Sequence, residues 1–233
     1  VTMNRRLKAI IIVIVALAGL SELLLPWAAG AFMASGMKQL TAAEDVTVKA
    51  VKTPAVSMVN GRFDRVLVNA VSAKIDKFVF NELTLALENV KINMGALLGQ
   101  RTLVIDSVQN IDLTAVISQE ELSRYLNQAV KGVRGAEVTI GGGKVRITSS
   151  YLLAGIASMS ITLEGRIVGD GHKLKFVTDQ FLLNNAGGKN ISGSFLAGIP
   201  LVDLRKLPFG VEIKAVTMED GKVTVHADNR PPQ

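Results

Sequence analysis

Few side chains in this sequence have the types and spacing that chemistry needs. The two histidines, His172 and His226, stand far apart with no cysteine nearby and no metal-ligand interval, so both read as surface residues and no metal is expected. Ser158 and Ser160 lie in an alternating stretch without the G-x-S-x-G elbow of a hydrolase nucleophile. Gly141-Gly142-Gly143 lacks a following helix and a G-K-[ST] ending, so a hairpin turn accounts for it better than a phosphate cradle does. Asp106, Asp112, Glu120 and Glu121 are the closest acidic grouping, and strand alternation with helix capping explains them without catalysis or calcium. No catalytic residue emerges. Arg62 and Arg65 flank Phe63 beside a turn, where guanidinium donors could meet a lipid phosphate; a solvated turn is the plainer reading.

What stands out instead is physical. Arg5, Arg6 and Lys8 precede an apolar run from Ala9 through Ile12 to Leu20, which continues past Ser21 and Glu22 to Leu25, Pro26 and Trp27. That is the length of a bilayer span, and cations before it place the rest of the chain outside the cytoplasm. Ala29-Gly30-Ala31 offers small residues for cleavage, but Pro26 and Trp27 make a long c-region, so retention as a signal anchor is favoured. Glu22 is the awkward residue, since a carboxylate well inside hydrocarbon costs about 2.5–3.5 kcal/mol. It reads as the outer boundary of the span, with an intramembrane acid as the sharper alternative.

Composition narrows the rest. The chain has 233 residues, enough for one domain with a real core after the anchor. Apolar residues make up 48% and aromatics only 5%, so the interior must be aliphatic. There is no cysteine, which excludes disulfides, thiolate metal sites and a lipobox. Setting aside Arg5, Arg6 and Lys8, and Glu22 on the other side, leaves 23 basic against 19 acidic residues with no basic run, so nucleic acid is not expected as a partner.

After a helix-compatible stretch from Phe32 to Ala43, carrying Phe32, Met33, Met37 and Leu40, the period changes from 3.6 to 2. Val46, Val48 and Ala50 begin the strands; Thr53-Pro54 interrupts, and Asn60-Gly61 turns. Leu83, Leu85 and Leu87 then line one face against Thr84, Ala86 and Glu88, and an antiparallel meander follows with Gly95 to Gly99 as a link. Ser118 and Glu121 predict a capping box opening a helix whose apolar stripe is Leu122, Tyr125, Leu126, Ala129 and Val130. Hairpins turn at Gly141-Gly142-Gly143, Gly169-Asp170-Gly171 and Glu219-Asp220-Gly221, with Met159, Ile161 and Leu163 in the clearest strand. Pro200 to Leu207 suggests a short helix, and Asp228 onward a frayed tail.

These segments resemble a known family in order and spacing: Glu22 with Pro26; Pro54 before Asn60-Gly61-Arg62-Phe63-Asp64; Leu83 to Leu87 leading to Val90; Leu113 to Ser118 before Leu122; and Leu207-Pro208-Phe209-Gly210-Val211. The family is the LmeA-like exported phospholipid-binding proteins of bacterial envelopes. The resemblance implies an α+β fold in which a curved, elongated antiparallel β-sheet wraps around one or two α-helices (TULIP-like), preceded by an N-terminal membrane helix. It implies phospholipid in an apolar trough; the charged and apolar N-terminal segment adds anchorage in the bacterial inner membrane, and no cofactor beyond a bound phospholipid is expected.

The expected organisation is a membrane segment over 1–31, one lipid-binding domain over 32–228 and a frayed tail over 229–233. The expected lining is Leu83, Leu85, Leu87, Leu122, Leu126, Met159, Ile161 and Leu163, with Arg62 and Arg65 for the head group and Ala9, Ile12, Leu20 and Leu25 in the membrane. A sealed core would show the same alternation, and a membrane-anchored scaffold with an envelope protein partner at a sheet edge is the alternative; an envelope enzyme lacks its catalytic constellation.

Overall fold

A computed structural model describes residues 5–75, 77–129, 133–153, 157–184, 190–193, 198–207 and 210–231. The apolar N-terminal run and the stretch after it form one continuous helix, α1 (Arg5–Thr41), with Pro26 inside it. Its two halves differ in what they touch. Ile12, Leu20 and Leu23 are exposed, whereas Met33 and Met37 are buried against the domain. Phe32 and Leu40, expected on the same face as the methionines, point outward.

Glycine sets how closely α1 approaches the sheet. A Cβ on Gly30 would lie 2.6 Å from the Val48 carbonyl oxygen, so only glycine lets the helix rest on the strand below. That strand, β1 (Asp45–Val51), pairs antiparallel with β2 (Arg62–Ile75), and β2 with β3 (Phe78–Ile92). Between β1 and β2, Pro54 caps a 3-10 turn (Ala55–Asn60) that closes at Gly61, whose φ of +73° suits glycine. The segment read as a Gly-rich link is α2 (Met94–Gln100), capped by Asn93 through the Ala96 amide at 3.0 Å. The meander continues through β4 (Ile105–Ser107), a short pair with β3, and β5 (Asn110–Ser118). The seven-stranded sheet is completed by the C-terminal hairpin β12 (Glu212–Glu219) and β13 (Lys222–Asp228), giving the order β1-β2-β3-β5-β13-β12 with β4 on β3.

A second sheet of six strands holds β6 (Val133–Gly141), β7 (Lys144–Leu153), β8 (Ala157–Asp170), β9 (Lys173–Asn184), β10 (Asn190–Gly193) and β11 (Ile199–Asp203). Gly142 and Gly143 both have positive φ, +58° and +71°, which is the two-residue hairpin turn the glycine run suggests. The two sheets share one apolar interior that includes Leu85, Ile117, Val145, Phe176 and Val223. The fold is α+β and its sheets are antiparallel throughout.

Helix α3 (Gln119–Ala129) buries Leu122 and Leu126 as its stripe predicts, with the Tyr125 ring tilted against Phe78 at a centroid distance of 4.8 Å. Its polar face closes the exposed edge of β6. Gln119, Ser123 and Asn127 accept hydrogen bonds from the amides of Ile140, Val138 and Ala136 at 3.4, 2.9 and 2.8 Å. Four residues of helix rise about 6 Å and two of strand about 6.7 Å, so an i, i+4 row of acceptors keeps step with alternate strand amides.

Three local expectations need correction. The capping box is only half formed: Ser118 accepts from the Glu121 amide at 3.3 Å, but Glu121 turns to Arg124 and the Ser118 amide donates to Asn81 at 2.7 Å. Pro200 to Leu207 is strand β11 followed by a 3-10 turn (Leu204–Lys206), because residues 199–203 pair with β9. Asn229 and Arg230, read as frayed, are tied down: Asn229 accepts from the Ile111 amide at 2.8 Å and donates to the Gln109 carbonyl at 3.0 Å, while Arg230 pairs with Asp112. Val130 lies outside the described residues.

Candidate functional site

The predicted lining residues fall into two groups. Leu83, Leu85, Leu87, Leu122 and Leu126 are at most 3% exposed, and Leu85 is fully enclosed. This group lies in the buried core, with Phe78, Phe80 and Ile117 among its companions. Ile161 and Leu163 are instead half-buried, and the side chain of Met159 lies outside the described residues. These last three share β8, and Leu163 packs against the margin of the common interior.

The register shows what lies beside them. Ile147, Leu163 and Phe181 are cross-strand partners on β7, β8 and β9, and one step further Ser149, Ile161 and Leu183 pair. Along this row burial relaxes from Ile147, which is buried, to Leu163 and Phe181, which are partly open. Phe181 escapes a period-2 reading because the β8–β9 register shifts between Glu164 and Gly165, so that Thr178 and Phe181, an odd interval apart, share the face. The Thr178 hydroxyl is buried without a partner beside this shift.

Polar groups around the strands are paired ordinarily. Arg146 meets Glu164 at 2.7 Å, and Arg166 meets Asp179 at 3.3 Å. His172 Nδ1 is 2.6 Å from the Val211 carbonyl and His226 Nδ1 is 3.1 Å from the Thr114 hydroxyl, so each histidine has a structural partner. Of the two arginines expected at a head group, Arg65 pairs with Glu88 at 2.9 Å on the seven-stranded sheet. Arg62 is exposed at the start of β2, opposite Lys91. Neither belongs to the strands that carry Ile161 and Leu163.

A second apolar feature lies where α1 meets the 3-10 turn and α2. Leu25, Ala28, Ala29 and Phe32 of α1, Met58 and Val59 of the 3-10 turn, and Met94 and Leu98 of α2 enclose about 210 Å³. Sequence reasoning missed it because Gly95 and Gly99 masked a seven-residue helix; Asn93 as its cap was the available signal. Beside it, the Glu22 carboxylate accepts the Ala55 amide at 2.8 Å. Of the expected membrane residues, Ile12 and Leu20 are exposed and Leu25 packs against the domain; the side chain of Ala9 lies outside the described residues.

Two sheets around a mainly aliphatic interior, in which Phe63, Phe78, Phe80 and Phe176 are nonetheless buried, are the setting in which the family comparison is informative: residues 20–228 match the model of the LmeA-like phospholipid-binding family. The chain belongs to that family. No curated protein and no solved structure matches it. The LmeA-like match begins inside α1, at Leu20, and so takes in Glu22, Pro26 and the helix junction as well as both sheets. Among the described residues, α1 is the helix long and apolar enough to cross a membrane.

Proposed function

We propose that this LmeA-like chain is a membrane-tethered, non-catalytic phospholipid carrier of the cell envelope that holds acyl chains on the inner face of its six-stranded sheet. The observation that carries the reading is the relaxation of burial along Ile147, Leu163 and Phe181 and on to Ile161. Half-open aliphatic surface costs about 25 cal/mol per Å² in water, and a flexible acyl chain removes that cost without needing fixed polar contacts. The phospholipid-binding character of the family supports the ligand class. The exposed apolar half of α1 supports the tether, and the cations Arg5, Arg6 and Lys8 before it support a domain on the extracytoplasmic side.

The test is photolabelling of the full chain in vesicles with a phospholipid carrying a diazirine in its acyl chain. Adducts are expected on β8 and β9 peptides and are expected to fall several-fold in Leu163→Glu while its circular dichroism is unchanged. Adducts confined to α1 would overturn the groove. That result would favour the scaffold reading, for which the sealing of Leu83, Leu85, Leu87, Leu122 and Leu126 is the supporting observation.

A further inference from the structure

The junction between α1 and the domain sets how deep the domain can lie. The 3-10 turn and α2 pack on α1 around Leu25 to Phe32, and the Glu22–Ala55 hydrogen bond fixes the turn at the level of Glu22. From Lys8 to Glu22 a helix rises about 21 Å, and to Trp27 about 28 Å, while the hydrocarbon core is about 30 Å thick. If α1 spans from Lys8, its outer boundary falls near Trp27, a residue type that favours that interface. Glu22 then lies roughly 9 Å inside the core, and tilting the helix takes it deeper. Whatever is bonded to Glu22 must come with it.

The surface at that level is built for such a place. Val56 and Val59 of the 3-10 turn and Leu98 of α2 are 53%, 55% and 54% exposed, and together with exposed Leu23, Leu24, Trp27 and Phe32 they form an apolar patch around the helix. Cations flank it: Arg62 follows the turn directly and is paired in register with Lys91, and Arg101 caps the far end of α2; all three are exposed. Asp64, the acid nearest in sequence, is held by Lys52 at 2.6 Å. An apolar tip with a basic margin matches the outer leaflet, where acyl chains lie beneath anionic head groups.

We propose that the 3-10 turn Ala55–Asn60 and α2 are inserted in the outer leaflet of the bilayer that α1 crosses, with Arg62, Lys91 and Arg101 among the head groups. Glu22 is then a positioning residue whose carboxylate satisfies the Ala55 amide below the membrane surface. The small apolar pocket between α1, the turn and α2 opens at acyl-chain depth, directly accessible to lipid.

The proposal rests on α1 as a span, and the experiment separates the two. The chain has no cysteine and one tryptophan, Trp27, so single-cysteine variants carry one label and Trp27 reports on the helix. Full-length Val59→Cys, Leu98→Cys and Lys222→Cys are labelled with nitrobenzoxadiazole in vesicles of phosphatidylethanolamine and phosphatidylglycerol brominated on the acyl chains. Lys222 pairs with Ser118, at the end of the sheet away from the junction. The expected result is blue-shifted emission quenched at least twofold by bromine at positions 59 and 98, none at 222, and quenched Trp27. Labels at 59 and 98 that behave like 222 while Trp27 is quenched overturn the insertion but leave the span. Unquenched Trp27 overturns both.

Discussion

The Glu22 carboxylate and the Ala55 backbone amide are hydrogen-bonded at 2.8 Å, linking the long N-terminal helix to the first turn of the domain across a wide gap in sequence. Pro54 precedes that turn and gives it no side-chain cap, and the Ala55 amide takes its partner from the helix instead. A carboxylate that looked misplaced in an apolar run is therefore a structural fastener.

Glu22→Ala strands the Ala55 amide, which costs about 1–3 kcal/mol if it stays dry, whereas Glu22→Gln keeps an acceptor. For a domain of this size each kcal/mol shifts Tm by about 2–4 °C. Thermal unfolding of the full chain in micelles should show a loss of a few degrees for the alanine variant and a smaller one for glutamine. Equal losses would mean that charge matters more than the hydrogen bond.

Leu85 and Leu163 separate the buried core from the half-open face proposed to hold acyl chains. Leu85→Ala leaves a cavity in a sealed interior and should cost about 2–5 kcal/mol in denaturant unfolding. Leu163→Ala, at a half-open position, should cost less and reduce lipid photolabelling instead. A Leu85→Ala protein that loses no stability would show that the seven-stranded sheet, too, has space for a ligand.

Much of this was legible from alternation. Leu83, Leu85 and Leu87, Leu122 and Leu126, and the glycine hairpin all took the places their periods predict. Periodicity reports which face is apolar, however, and not what covers it, so Leu85 and Leu163 looked alike until packing distinguished them. Phe181 was hidden by a register shift, and α2 by its two glycines. The polar face of α3 gave no signal, because acceptors facing a sheet edge and acceptors facing water have the same sequence.

Gly30 is a packing requirement. Gly30→Ala places a Cβ against the Val48 carbonyl and must push α1 from β1, at about 1–3 kcal/mol by analogy with overpacked cores. Gly19→Ala, where nothing lies within 4 Å, is the control and should cost nothing. Protection of β1 amides in hydrogen exchange should fall in the first variant only.

Acid should weaken the domain in a defined window. The Lys52 hydrogen bond lowers the pKa of Asp64, Asn110 and then Arg65 that of Glu88, Lys175 that of Asp170 and Arg205 that of Asp203. Each group has its folded value below its ordinary one, 3.8 for aspartate and 4.5 for glutamate, so the stability it adds is present above those values. It is lost as pH falls through the folded values. Denaturation midpoints should stay flat from neutral pH to about 5 and drop below about 4, less steeply at high salt because these groups are at the surface. A midpoint that stays flat through about pH 3 would mean that these surface pairs add nothing to stability.

The edge of β6 offers the sharpest test of how helix and sheet cooperate. An open edge strand invites pairing with another chain, and here Gln119, Ser123 and Asn127 occupy its amides. Asn127 does so twice, accepting from the Ala136 amide and donating to the Ala136 carbonyl at 2.9 Å. Asn127→Leu keeps the helix but leaves both groups of Ala136 unpaired, a cost of about 1–3 kcal/mol for each that stays buried. Ser123→Ala should do the same at Val138, and the double variant should lose more than either. With two of the three acceptors gone and only Gln119 left on Ile140, β6 becomes a template over Ala136 to Val138, so concentration-dependent association in sedimentation should appear in the double variant at temperatures where circular dichroism still reports a folded sheet. A double variant that loses stability yet remains monomeric would mean that packing of Leu122 and Leu126, with the remaining Gln119 contact, keeps the edge covered.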